Sequence, residues 1–208
     1  IISMTILLVN NKLSKIMVPI ISCVILFLSA SPSMGANVGA AISESVALIL
    51  FTMLIFDIKI DLKKSIFIIV GAGTVVLGFA ALDILSGSES HLSLFVNQIL
   101  TNGPSAIIET FTRKIYMNIQ LMQNSDWVNI IYIGILSIII IKIVYSKVFK
   151  GLMDECVCAK KALISMGAGA IVTLLVNDSG VVSAATTMLY IVIPFLIIMV
   201  NKIVFKDK

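Results

Sequence analysis

Six apolar runs, each 15 to 20 residues long, succeed one another at residues 16–30, 38–56, 65–82, 127–145, 162–176 and 181–200. A helix rises 1.5 Å per residue, so about 20 such residues match the ~30 Å hydrocarbon core of a bilayer. The runs predict an all-α fold, a polytopic transmembrane helical bundle. Composition agrees: 59% of the chain is hydrophobic and only 12% charged, where soluble domains carry about 25% charged residues. A further apolar stretch at residues 1–9 is too short to span. With the opening Ile-Ile-Ser-Met it suggests a truncated N-terminal helix, and hence the C-terminal piece of a longer protein.

Threading the runs back and forth gathers the basic residues on one side. Lys12 and Lys15 fall together with Lys59, Lys63 and Lys64, and with Lys142, Lys147, Lys150, Lys160 and Lys161. Lys202, Lys206 and Lys208 join them, and only Arg113 and Lys114 face the other way. Thirteen of fifteen cations on one side mark that side as cytoplasmic. Adding or dropping one span would scatter them, so six full spans with a cytoplasmic C-terminus are expected. The net charge of +4 lies in short clusters between apolar runs; no basic groove for nucleic acid is implied.

The 15-residue runs 16–30 and 162–176 reach only about 22 Å. Each meets a polar, Gly-containing turn on the outer side, SPSMGANVGA and VNDSGVV. Short spans in corresponding places mark binding sites in transporters; alternatively, tight turns lie slightly below the outer surface, covered by neighbouring helices. Gly71, Gly73 and Gly78, and Gly167 and Gly169, suggest close helix packing. GAGTVV lacks the third glycine and the preceding strand of a dinucleotide fingerprint. Between the third and fourth runs, residues 83–126 form an amphipathic outer segment, broken into two helices at Gly103-Pro104. Ile107, Ile108, Phe111, Ile115, Ile119 and Met122 recur there at helical spacing, with Glu109, Arg113 and Gln120 between them. That pattern suits the membrane interface.

Ionisable groups at membrane depth are costly unless paired or hydrated. Glu44 lies six residues into the second run and suits either a hydrogen bond to a neighbouring helix or a proton or ligand role. Asn177, Asp178, Ser179 and Gly180 are turn residues, and Asp178 or Ser179 could cap the helix that follows. They could equally form a polar site at the outer mouth, and the 31–37 turn is expected to converge on it. Asp178 would be its main charge, with Asn37, Ser179, His91 and Arg113 as the available partners. Asp83 and His91 bracket a short linker without metal-ligand spacing. Cys23, Cys156 and Cys158 are too few for a disulfide framework and lack the further Cys or His of a zinc site; they read as reduced thiols. No catalytic constellation, metal site or cofactor site is visible.

SPSMGANVGA, ALDILSGSESHLSLFVNQIL with RKIYMNIQLM, and LLVNDSGVVSAATTMLY occur in that order. Together they resemble the C-terminal membrane region of large bacterial multi-pass membrane proteins of clostridia and actinobacteria. Some of these are labelled phosphoglyceromutase-like or alkaline-phosphatase-superfamily proteins. Asp83, Ser90, His91, the Arg113-Lys114 pair and residues 177–180 match that family; Asn37 and Ala40 replace its acid and one glycine. The resemblance implies a missing N-terminal extracytoplasmic domain, to which the phosphatase label would belong. The leading expectation is then a non-catalytic membrane module in contact with membrane lipid and with a lipid-linked or phosphorylated substrate. Alternatives are a transporter or flippase half using Glu44 and Asp178, and a structural subunit with no site.

Overall fold

The computed structural model describes residues 12–31, 34, 35, 37–85, 91–155 and 157–204; within them the side chains at 12–15, 83–85 and 91–93 are not described. The described chain is helical, with short turns and no strand. Its helices are α1 (Lys12–Ala30), α2 (Val38–Ile55), α3 (Leu62–Leu85), α4 (His91–Asn102), α5 (Ser105–Asn124), α6 (Trp127–Val144), α7 (Ser146–Glu155), α8 (Val157–Val176) and α9 (Gly180–Val204). Five of them, α2, α3, α6, α8 and α9, are long and apolar enough to cross a membrane, and α1 contains the shorter apolar run Ile16–Ala30.

The axis of the bundle is the antiparallel pair α2 and α8, which touch along their whole length. A β-carbon on Gly39 would lie 3.0 Å from the Asn177 Cα and the Val176 carbonyl oxygen, and one on Gly169 would lie 2.9 Å from the Ala47 Cβ. Absent side chains let these backbones approach, which is how helices gain packing energy where surrounding lipid is as apolar as leucine. Farther along, Phe51 and Ile55 of α2 bury against Ala162 of α8 and Val18 of α1, with Cys158 at the edge. Cys156 lies outside the described residues. On one flank, Ala30 of α1 and Ala41 of α2 pack on Val76 and Ala80 of α3. On the other, Leu152 of α7 seats against Phe195 and Met199 of α9.

Polar atoms inside the helices are mostly satisfied locally. Ser43 donates to the Gly39 carbonyl, Ser137 to Ile133, Thr186 to Val182 and Ser165 to Ala162; a hydroxyl turned back on its own helix needs no partner from lipid. Ser45 Oγ is buried without a partner. Large apolar side chains point outward from α3 (Phe67, Ile69, Leu77) and from α6 (Ile133, Leu136, Ile143), the inverse of a water-soluble core and compatible with a membrane protein.

Charged contacts gather where α2, α7, α8 and α9 end or begin. Lys161 of α8 pairs with Asp57, and Lys202 of α9 with Glu155 of α7. Asp57 terminates α2 in a left-handed conformation, φ 57°. Its N–H donates to the Leu54 carbonyl and that of Ile58 to Met53, both at 3.0 Å, the paired bonds of a Schellman stop. Asp61 caps α3: its Oδ1 accepts from the Lys64 N–H at 2.9 Å. That bond, ahead of the Lys64 charge, holds its carboxyl below the ordinary value of 3.8.

Several expectations require correction. The stretch between the fourth and fifth apolar runs, which carries lysines and no spanning run, forms α7 and the start of α8. Val148, Phe149, Leu152 and Met153 give α7 an apolar face that packs on α9, which its lysines hid from a hydropathy reading. The 162–176 run is therefore part of a 20-residue helix, and its apparent shortness reflects the charges of Lys160 and Lys161 in its first turns. Likewise α3 begins at Leu62 and extends to Leu85, and α9 runs from Gly180 to Val204. Gly71 meets Ile49, but Gly73, Gly78 and Gly167 face open space, so only some of the glycines mark close contacts. The 83–126 segment does break at Gly103 and Pro104, where Gly103 adopts φ 74°.

Candidate functional site

Opposite the Asp57–Lys161 end, two turns meet. In the turn between α1 and α2, the Met34 N–H donates to the Ser31 carbonyl. Asn37 is extended (φ −103°, ψ 102°), and its Oδ1 accepts from the Ala40 N–H at 2.9 Å, capping α2. The second turn, between α8 and α9, is brought alongside by the bare Gly39, which leaves no room for a side chain between α2 and Asn177.

A residue of α5 fastens that second turn. Asn118, 4% exposed, donates from Nδ2 to the Asn177 carbonyl at 2.6 Å and to its own helix at the Lys114 carbonyl. Its Oδ1 accepts from the Val181 N–H at 3.0 Å. One amide thus satisfies a turn carbonyl and a first-turn N–H of α9, groups with no partner inside their own helices. The α9 cap was expected from Asp178 or Ser179; it comes from Asn118 instead. Gly180 makes this possible, because a β-carbon there would lie 2.4 Å from the Thr173 carbonyl oxygen and 2.8 Å from Asn118 Oδ1.

One turn before Asn118, Lys114 Nζ stands 3.0 Å from Asp178 Oδ1; the lysine side chain is 15% exposed and the aspartate 56%. Beside this pair a cleft of about 430 Å³ opens between the start of α2, α4, α5 and the end of α8. Its polar wall holds Asn37, Gln98, Arg113, Lys114, Asn177 and Asp178. Its apolar wall holds Ile42, Leu94, Phe95 and Phe111. The cleft therefore carries two cations against one carboxylate, with the positive end of the α2 helix dipole opening into it. Among the described residues Arg113 makes no ion pair. Such a lining suits an anion attached to an apolar body; a single carboxylate between two cations is a poor cation ligand.

Of the residues singled out from sequence, Asn37, Arg113, Asn177 and Asp178 line this cleft. Ser179 is exposed beside it, not part of the wall. Glu44 stands apart, hydrogen-bonded to Ser29 of α1, whose hydroxyl also lies 2.9 Å from the Ile25 carbonyl. The side chains of Asp83 and His91 lie outside the described residues. Lys114 and Asn118 were missed as site residues. On α5, Ile108, Ile115, Ile119 and Met122 are exposed, compatible with a stripe that meets the membrane interface, while Lys114 and Asn118 turn inward. The available signal was their i, i+4 spacing, which puts a lysine and an asparagine on one stripe. No family model matches the chain, and no curated protein or solved structure matches it either.

Proposed function

We propose that this chain is the membrane module of a larger bacterial envelope protein and that its cleft holds an amphiphile with an anionic, phosphate-type headgroup. In this reading α1 is a sixth span, and the lysine-rich end, with the C-terminus, faces the cytoplasm. The cleft then faces outward, where an extracytoplasmic domain of the same protein would meet the same substrate. The observation that carries the reading is the pairing of Arg113 and Lys114 with Leu94, Phe95 and Phe111 in one cavity. Its volume of about 430 Å³ falls in the usual range of ligand sites, roughly 300–1,000 Å³. The transporter alternative draws less support, because Glu44 is bonded to Ser29 and is not part of the cleft wall.

The test uses purified protein in phosphatidylcholine nanodiscs titrated with phosphatidylglycerol, with retained lipid counted by native mass spectrometry. Phosphatidylglycerol should be retained in preference, and Arg113→Gln should weaken that retention roughly tenfold, the ~1.4 kcal/mol expected for one charge-assisted contact. Equal retention of both lipids, or indifference to Arg113→Gln, rejects the reading. Orientation is read separately: a cysteine at Gln123 should be labelled from outside intact cells, and labelling only after permeabilisation would reverse it.

A further inference from the structure

Asp178 is an unexpected residue in a site for an anion. A carboxylate repels a phosphate, and a neutral turn residue such as asparagine would leave the cleft more positive. Its position is nonetheless closely fixed. Asp178 belongs to the turn whose preceding carbonyl is held by Asn118 at 2.6 Å, and Lys114, its partner at 3.0 Å, lies one turn from Asn118 on α5. Both ends of the ion pair are thus referred to the same buried amide. Two further charged side chains of α5 are placed near the pair. Arg113 lines the cleft without an ion pair among the described residues, and Glu109, one turn earlier on α5, is not part of the wall.

Building on the headgroup reading above, we propose that Asp178 sets the charge class of the occupant. It offsets Lys114, leaves Arg113 as the one cation of the cleft wall without an ion pair among the described residues, and so admits a phosphodiester headgroup of charge −1 while disfavouring a phosphomonoester of charge near −2. Specificity of this kind comes from a repulsive element against the wrong ligand as much as from attraction to the right one. Arg113 supplies the planar donor fork that suits two phosphate oxygens. The second negative charge of a monoester finds no further unpaired cation among the described residues of the wall and meets the like charge of Asp178. The apolar wall of Leu94, Phe95 and Phe111 accepts the chain of a lipid. A soluble phosphodiester shares the headgroup chemistry and is distinguished by its lack of any need for that wall.

The experiment measures apparent affinities in neutral detergent at pH 8, where a phosphomonoester, with a second pKa of about 6, is largely dianionic. The probes are phosphatidylglycerol, phosphatidic acid, phosphatidylcholine and the headgroup alone, glycerophosphoglycerol. The wild type should bind phosphatidylglycerol roughly tenfold more tightly than phosphatidic acid, about 1.4 kcal/mol. Asp178→Asn, which keeps a side-chain oxygen for Lys114, should bring that ratio to about one or below. The double variant Lys114→Gln/Asp178→Asn restores the net cleft charge and should restore the ratio, which separates charge from misfolding. A ratio unchanged in Asp178→Asn, with phosphatidylglycerol still bound, overturns the charge assignment and leaves the headgroup site standing. Failure of both anionic lipids to exceed phosphatidylcholine overturns the site itself. Binding of glycerophosphoglycerol as tight as that of the lipid supports charge selection with a soluble ligand.

Discussion

The two ends of the bundle carry similar ion pairs in dissimilar settings. Lys161–Asp57 and Lys202–Glu155 at one end, and Lys114–Asp178 at the other, each join a largely covered lysine to a carboxylate more than half exposed. At the lysine-rich end the pairs sit among further cations in solvent, and each ties one helix to its neighbour. At the cleft end the pair adjoins a buried asparagine, a close-packed glycine and a cavity. An ion pair alone therefore says little about a site, since exposed pairs contribute only about 0–1 kcal/mol wherever they occur. What separates the two ends is the network of neutral groups behind the charges.

Three comparisons would break or sharpen that contrast. The largest effect is expected from glycine. Gly180→Ala drives a β-carbon to 2.4 Å from a backbone oxygen and should cost about 3 kcal/mol. Gly151→Ala, in α7 at the lysine-rich end with nothing within 4 Å, should instead stabilise by up to ~1 kcal/mol through helix propensity. Thermal unfolding in detergent, followed by fluorescence of the single tryptophan, Trp127, measures both, and equal shifts would erase the distinction.

The next step down is the amide. Asn118→Ala strands the Asn177 carbonyl and the Val181 N–H and should cost about 2 kcal/mol. Lys202→Met at the other end removes an exposed pair and should stay within about 1 kcal/mol. If the lysine variant is the more damaging, the cleft end is not the more tightly built one. The smallest effect belongs to Asp57. Asp57→Gly loses the bond to Lys161 but relieves the left-handed backbone, so the two changes should nearly offset. Asp57→Ala keeps the strain and should be less stable than the glycine variant by about 1 kcal/mol. Identical unfolding midpoints for the two would show that φ 57° at this residue costs nothing.

Long apolar runs made the bundle legible, because hydropathy over ~20 residues reports a bulk solvent property. The meeting of Asn37 with Asn177 and Asp178 was also expected, since both turns fall on one side of the threading. The helix α7 and the first residues of α8 were not legible, because lysine stems disguise helices as polar linkers. Lys114 and Asn118 escaped for a different reason. The apolar stripe of α5 drew the reading to the membrane interface, and the residues that turn inward lie on the opposite, polar stripe. The role of Gly180 depends on a carbonyl seven residues earlier and an amide on another helix, a coincidence in space that no local pattern announces.

The pairing of α2 with α8 has a consequence for how the protein is made. The two helices that touch along their full length, Val38–Ile55 and Val157–Val176, are separated by about 100 residues of chain. At roughly 5–20 residues per second of synthesis, α2 leaves the ribosome about 5–20 s before its principal partner exists. Through that interval, on the membrane reading proposed above, Gly39, Ser43 and Ala47 present a bare small-residue face to the bilayer, with Glu44 nearby and only α1 and α3 available as cover. Insertion of α2 is therefore expected to lean on the Ser29–Glu44 bond to α1 and on the alanine contacts with α3.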